Sequence, residues 1–338
     1  MGRWWRISVV VVLVLAVGVI GYTGYIGYEG SRQLVSRDGT SRDCRTPDVL
    51  FGWAYEAINY DIADDAELVT RNPDQADCAY EGTQAGTEVV SRDGVRIAGW
   101  YVPAASDIGP SGPTVVLVHG IKANKSGILR YGIGLHDEFN LVAIDLRNTG
   151  RSTGTETSGG VLEQDDLRAV IDWLARTKHP SRIGVLANSL GAVAALGEAG
   201  GDSRVEALAL DSMHTRVQYQ FEARVAHGGY FSYFGTTRAI VWGIQLRTGK
   251  NIESSDAEET IHAYASGRPL LLTHGTADDE DLPERTRAFY DEVVEMGIPA
   301  ELHWCADAGH NAAAGMPVDV CRDAFGSWTH DFFTEWLG

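Results

Sequence analysis

Ile183-Gly-Val-Leu-Ala-Asn-Ser189-Leu-Gly191-Ala-Val-Ala-Ala-Leu196 is the stretch from which the rest of this chain is best read. A β-branched apolar run reaches a serine between small residues and passes at once into an alanine-rich helical pattern. That is a strand, a sharp turn and a helix, with a hydroxyl at the apex. Such a serine projects from the edge of a sheet. An oxyanion formed beside it faces the N-terminus of the following helix, where unpaired N–H groups and the dipole favour negative charge. Ser189 is therefore a candidate nucleophile, needing a base, an orienting acid and oxyanion donors from elsewhere.

The surrounding chain alternates strands and helices. Thr87 to Val102 gives two β-rich runs joined by Asp93-Gly94, a hairpin signal. Thr114–Val118, Leu141–Ile144, Ile183–Ala187, Ala207–Leu210, Pro269–Thr273 and Ala300–Trp304 read as strands. Helices are expected over Val161–Thr177, after Ser189, over Arg285–Met296 and over Phe325–Leu337. Strands apolar on both faces and separated by helices imply a mostly parallel sheet covered on both sides, an α/β architecture. Catalytic groups then belong at the carboxyl ends of the strands. His119-Gly120, Ser189, Asp278 and His310 fall there.

The matching pieces are Val118-His-Gly-Ile121, Asp145-Leu-Arg-Asn-Thr-Gly-Arg-Ser152, Ala187-Asn-Ser-Leu-Gly191, His274-Gly-Thr-Ala-Asp278 and Ala308-Gly-His310. In that order the chain resembles the α/β-hydrolase superfamily, in its branch of compact esterases, lipases and serine aminopeptidase-like hydrolases. The resemblance runs from about Val89 to the C-terminus. It implies a nucleophile Ser189, an acid Asp278 and a base His310, in the superfamily's order of serine, acid and histidine. It also implies an oxyanion hole of the Ile121 and Leu190 N–H groups, which needs no particular side chain. Ala187 replaces the first glycine of the usual elbow, at a place that demands only a small residue; Gly191 keeps the second. Asp211, at the end of the preceding strand, is the alternative acid, and a serine that merely caps the next helix is the alternative role for Ser189. Gly120-Ile-Lys-Ala-Asn-Lys125-Ser126 looks like a phosphate-binding loop, but Asn124 stands where its second glycine is required.

Of 338 residues, 46 are acidic and 28 basic, a net charge of -18. That balance argues against nucleic acid as a partner, which requires a basic face. From Ile7 to Tyr28 no side chain is charged, long enough to cross a bilayer, with Trp4 and Trp5 suited to the headgroup level. A cleaved signal peptide is the rival, but no Ala-x-Ala site follows; a repeat of Gly-Tyr-x from Gly21 to Gly30 does, its tyrosines suited to an aromatic belt. The expected layout is a transmembrane anchor over 1–28 and a stalk and N-terminal extension over 29–86, with a short helix around Val49–Tyr60. A hydrolase domain over 87–338 follows, with 212–265 as a small cap or as ordinary core helices. Tyr219, Phe221, Tyr230, Phe231, Tyr233, Phe234 and Trp242 are the cap's aromatics.

Four cysteines fall into two local pairs, Cys44/Cys78 and Cys305/Cys321, with no zinc spacing. Two disulfides in an oxidising compartment explain them better than a metal site or free thiols, and place the catalytic domain outside. The second pair brackets His310; a bridge there would restrain the unfolded loop by about 3 kcal/mol and hold the histidine in register. The expected function is carboxylic ester hydrolysis through an acyl-enzyme, with a small ester or acyl substrate, no cofactor and no metal. Amide or peptide hydrolysis uses the same residues, and a catalytically silent binding module of the same fold is the reading from another class.

Overall fold

The computed structural model of the protein describes residues 2–36, 41, 43, 45–59, 83–84, 88–227, 235–264, 267–310 and 321–338. Among these residues nine strands form one sheet: β1 (Glu56–Ile58), β2 (Thr83–Gln84), β3 (Gly99–Val102), β4 (Thr114–Val118), β5 (Asn140–Ile144), β6 (Ile183–Asn188), β7 (Val205–Asp211), β8 (Leu270–Gly275) and β9 (Ala300–Cys305). Their order is β2-β1-β3-β5-β4-β6-β7-β8-β9. From β5 to β9 every neighbouring pair is parallel, and β3 joins antiparallel to β5.

The apolar runs explain this sheet. Val116, Val118, Val185, Leu208, Leu210 and Leu272 point to one core, and Val115, Leu117, Leu186, Ala207, Ala209 and Leu271 to the other. Alternate residues thus face opposite layers, and both layers are dry. The helices of more than ten residues are α1 (Gly2–Val35), α2 (Glu163–Thr177), α3 (Leu190–Gly201), α4 (Val217–His227), α5 (Thr236–Thr248), α6 (Pro283–Glu295) and α7 (Arg322–Leu337). Helices α2, α3 and α6 cover the first face through Leu167, Val170, Leu174, Leu196, Phe289 and Val293. Helix α7 covers the second through Phe325, Phe332, Phe333 and Leu337.

Three expectations are altered. The helical signal over Val49–Tyr60 resolves into a helix Pro47–Phe51, stopped at Gly52 with φ 73°, and then strand β1. Ala57 and Ile58 are fully buried there, so pairing with β3 outweighs local helical preference. The stretch 29–86 consequently supplies two strands to the sheet instead of standing apart as a stalk. The Asp93-Gly94 turn is present, but among the described residues its first arm contributes only the bridge Val90–Arg96.

The insertion 212–265 divides between two settings. Ala257, Ile261 and Tyr264 join the main core. Val217, Phe221, Ile240, Val241, Ile244 and Ile252 form a separate cluster with Ile26, Leu34 and Val35 of α1, against which Ile121 packs. Tyr230, Phe231, Tyr233 and Phe234 lie outside the described residues, as do Cys44 and Cys78. Helix α1 is continuous, and Val9 to Ile20 are its exposed apolar part.

Candidate active site

Ser189 sits between β6 and α3 with φ 51° and ψ -117°. This left-handed backbone is costly for a residue with a side chain, and such strain persists only where the surroundings enforce it. Two contacts do so here. The Ser189 N–H donates to the Asp211 carbonyl at 2.9 Å. Gly191 lies so close to β4 that a Cβ there would stand 2.5 Å from the His119 carbonyl oxygen and 2.6 Å from that of Val118. Ala187 is fully buried in β6.

The hydroxyl makes no capping bond to α3. It lies instead 3.1 Å from His310 Nε2, and His310 Nδ1 lies 2.8 Å from Asp278 Oδ2. The second contact fixes the tautomer: Nδ1–H donates to the carboxylate, so Nε2 is free to accept from Ser189. Asp278 Oδ1 accepts from the Glu280 and Asp281 N–H groups, each at 2.9 Å. His274 Nε2 donates to the Asp281 carbonyl at 2.8 Å and lies 3.2 Å from Asp278 Oδ2. Burial pushes the Asp278 carboxyl up, but the His310 hydrogen bond and the His310 and His274 charges outweigh it and hold it below the ordinary value. Burial lowers His310, yet the hydrogen bond to Asp278 and its charge carry the imidazole above 6.5.

Loop packing delivers these groups. The Ala277 N–H donates to the Ala308 carbonyl at 2.8 Å, and a Cβ on Gly275 would meet that oxygen at 2.2 Å. The acid loop and the histidine loop are thus in direct backbone contact. A disulfide joins Cys305 at the end of β9 to Cys321 at the start of α7, closing the loop that carries His310.

Leu190 is the first residue of α3, so its N–H has no intrahelical partner. The β4–loop chain reaches the same spot: a Cβ on Gly120 would lie 3.0 Å from Ser189 Cβ. The turn after β4 and the start of α3 therefore both lie against the serine.

The other candidates have structural partners. Asp211 accepts from Tyr131, Asn188 and Thr273 at 2.8 to 3.0 Å. His119 accepts the Leu146 N–H at Nε2 (3.0 Å) and donates from Nδ1 to the Gly120 carbonyl, tying two strand ends together. Lys125, the lysine of the loop that resembles a phosphate site, forms a buried ion pair with Asp145 and lies over Trp100. Arg147 bridges Asp93 and Asp166. Among the described residues no group of three His, Cys, Asp or Glu side chains is arranged to hold a metal ion.

Two further residues lie beside the line from Ser189 through His310 to Asp278. His214 stacks on His310 with ring centroids 5.1 Å apart. Asp281 is fully buried, with its carboxyl pushed up to about 7 by burial and by the Asp278 charge. Their position just past the ends of β7 and β8 was the one signal that pointed to them.

A family model described as the alpha/beta hydrolase fold matches residues 113–240. The chain is 26% identical over 276 residues to the uncharacterised protein YfhR of Escherichia coli, an alignment covering 79% of this chain and 85% of that one. Among solved structures, an esterase of Pyrococcus furiosus superposes with a TM-score of 0.60 at 22% identity, over 75% of this chain and 92% of its own. An acylaminoacyl peptidase of Pyrococcus horikoshii superposes with a TM-score of 0.55 at 16% identity, over 74% of this chain and 41% of its own.

Proposed function

We propose that this chain, a member of the α/β-hydrolase superfamily, hydrolyses carboxylic esters through an acyl-enzyme. The observation that carries the proposal is the unbroken line from the Ser189 hydroxyl through His310 to Asp278, at a strained elbow whose hydroxyl makes no capping bond. Ser189 Oγ attacks the ester carbonyl while His310 Nε2 takes its proton. The negative charge forms on the carbonyl oxygen beside the Leu190 and Ile121 N–H groups. As the tetrahedral adduct collapses, the C–O bond to the alcohol breaks and His310 returns the proton to that oxygen. Water then attacks the acyl-serine, giving its proton to His310, and the acid departs as the proton returns to Ser189. Asp278 holds the imidazole in the tautomer that makes both transfers available.

The test is steady-state and pre-steady-state hydrolysis of an ester and amide panel. The proposal predicts a burst of alcohol from activated esters, and loss of turnover by roughly 10⁴-fold or more in Ser189→Ala. Faster cleavage of aminoacyl amides than of matched esters would favour the peptidase reading, which the likeness to the acylaminoacyl peptidase supports.

We also read α1 as an uncleaved anchor with the catalytic domain outside. Ile26, Leu34 and Val35 are built into the cluster beneath α4 and α5, and the Asn148 side chain donates to the Val35 carbonyl at 2.8 Å. Cleavage after the apolar core would strip these contacts from the folded domain. The Cys305–Cys321 bridge suits an oxidising compartment.

A further inference from the structure

Helices α1 and α5 meet along a groove for which the ester chemistry has no use. On α1, Val10, Val14, Val17 and Ile20 are 58 to 71% exposed, whereas Ile26 is 2% and Val35 4%. A hydrocarbon layer takes about 20 helical residues, so a span beginning at Ile7 ends near Ile26. Helix α5 already packs on α1 at that level. A Cβ on Gly27 would stand 2.7 Å from the Ala239 carbonyl oxygen, and one on Gly243 would stand 2.3 Å from that of Gly27. The groove beside this crossing, about 550 Å³, is lined by Ile20, Thr23 and Gly24 from α1 and by Trp242, Leu246 and Arg247 from α5.

The levels therefore overlap. If Ile20 and Gly24 are inside the apolar layer, the side chains that share their groove reach its boundary. Trp242 is 56% and Leu246 86% exposed, an apolar pair with little cover from the described residues, beside a helix whose apolar part is itself exposed. Tryptophan is favoured at the headgroup boundary, and leucine just beneath it. At the end of the groove, Arg247 lies over the Tyr28 ring at 4.8 Å and donates to Ser31 Oγ at 2.9 Å. Those contacts fix its guanidinium at the polar end, where a lipid phosphate would lie.

We propose that α5 is a second membrane contact: the bilayer covers Trp242 and Leu246, and the groove takes one acyl chain of a phospholipid whose phosphate meets Arg247. This rests on the reading of α1 as a membrane span and is independent of the chemistry at Ser189. The full chain is reconstituted in phosphatidylcholine–phosphatidylglycerol vesicles with an environment-sensitive fluorophore on Val14→Cys, Leu246→Cys or Asp291→Cys. Wild type carried through the same labelling serves as the blank. The proposal predicts blue-shifted emission at 14 and 246, quenched by nitroxides on the upper acyl chain, and water-like emission at 291. Water-like emission at 246 with quenching at 14 overturns it. Water-like emission at both overturns it together with the anchor. Native mass spectrometry gives the second readout: wild type retains a phospholipid, and Trp242→Ser with Arg247→Gln retains it roughly tenfold less. Equal retention would contradict the groove. Phosphonate labelling of Ser189 in each variant reports the hydrolase site separately.

Discussion

Asp278 sets the electrostatics of the site, because it holds a buried charge against the imidazole that, in the proposed mechanism, gains and loses a proton. With His310 raised above 6.5, kcat/KM for an ester should climb with pH as Nε2 loses its proton, with a midpoint above that value. Asp278→Asn removes both the hydrogen-bonded charge and the tautomer constraint. It should lower kcat by roughly 10³- to 10⁴-fold and move the midpoint down, since the burial that lowers His310 is then less opposed. A pH–rate profile of the two proteins checks both; an unmoved midpoint would show that another group governs the limb. At this scale the sequence was informative wherever a motif bound chemistry to a strand end, as with Ser189 and His310. His214 was illegible: its contact with His310 joins residues far apart in the chain, and no local pattern encodes a ring stack. Asp278 was implied by the resemblance, with Asp211 as the alternative, and it is Asp278 that His310 meets in the structure.

The elements hold these residues through close backbone approaches. Where β8 ends, Gly275 admits the histidine loop; a methyl group would meet the Ala308 carbonyl oxygen at 2.2 Å, and backbone cannot swing aside. Gly275→Ala should therefore cost about 1–3 kcal/mol and lower the melting temperature by several degrees. Activity should fall further than stability, as the His310–Asp278 contact loses register. Thermal melts and ester kinetics on the same sample separate the two effects, and unchanged values for both would remove the argument. The doubly apolar strands β4 to β8 could be read from sequence because both their faces are dry, giving uninterrupted Val, Leu and Ala runs. Strand β1 could not: three residues show no periodicity, and pairing with β3 on one side and β2 on the other makes Glu56–Ile58 a strand.

At the scale of the whole molecule, α1 divides into two halves with different surroundings. Its first half is apolar and exposed, and its second closes a cluster with Phe221, Ile240, Val241 and Ile244. Deleting residues 2–19 should leave the melting temperature of the detergent-solubilised protein within about 2 °C of the full chain. Deleting 2–36 uncovers that cluster, and at 1.5–3 kcal/mol for each large side chain it should cost about 5 °C or more. Equal melting temperatures for the two truncations would contradict the division. The charge-free run was plain in the sequence. The burial of its far end was hidden, because Gly-Tyr-x repeats suit a lipid belt and a helix crossing equally well.

The central claim is that Ser189 is a nucleophile made reactive by His310. The most direct measurement is reaction of the intact protein with a fluorophosphonate, followed by peptide mass spectrometry. The account predicts one phosphonate on the peptide containing Ser189, none in Ser189→Ala, and labelling slowed by orders of magnitude in His310→Ala. An unlabelled wild-type protein, or an adduct that persists in Ser189→Ala, would contradict it.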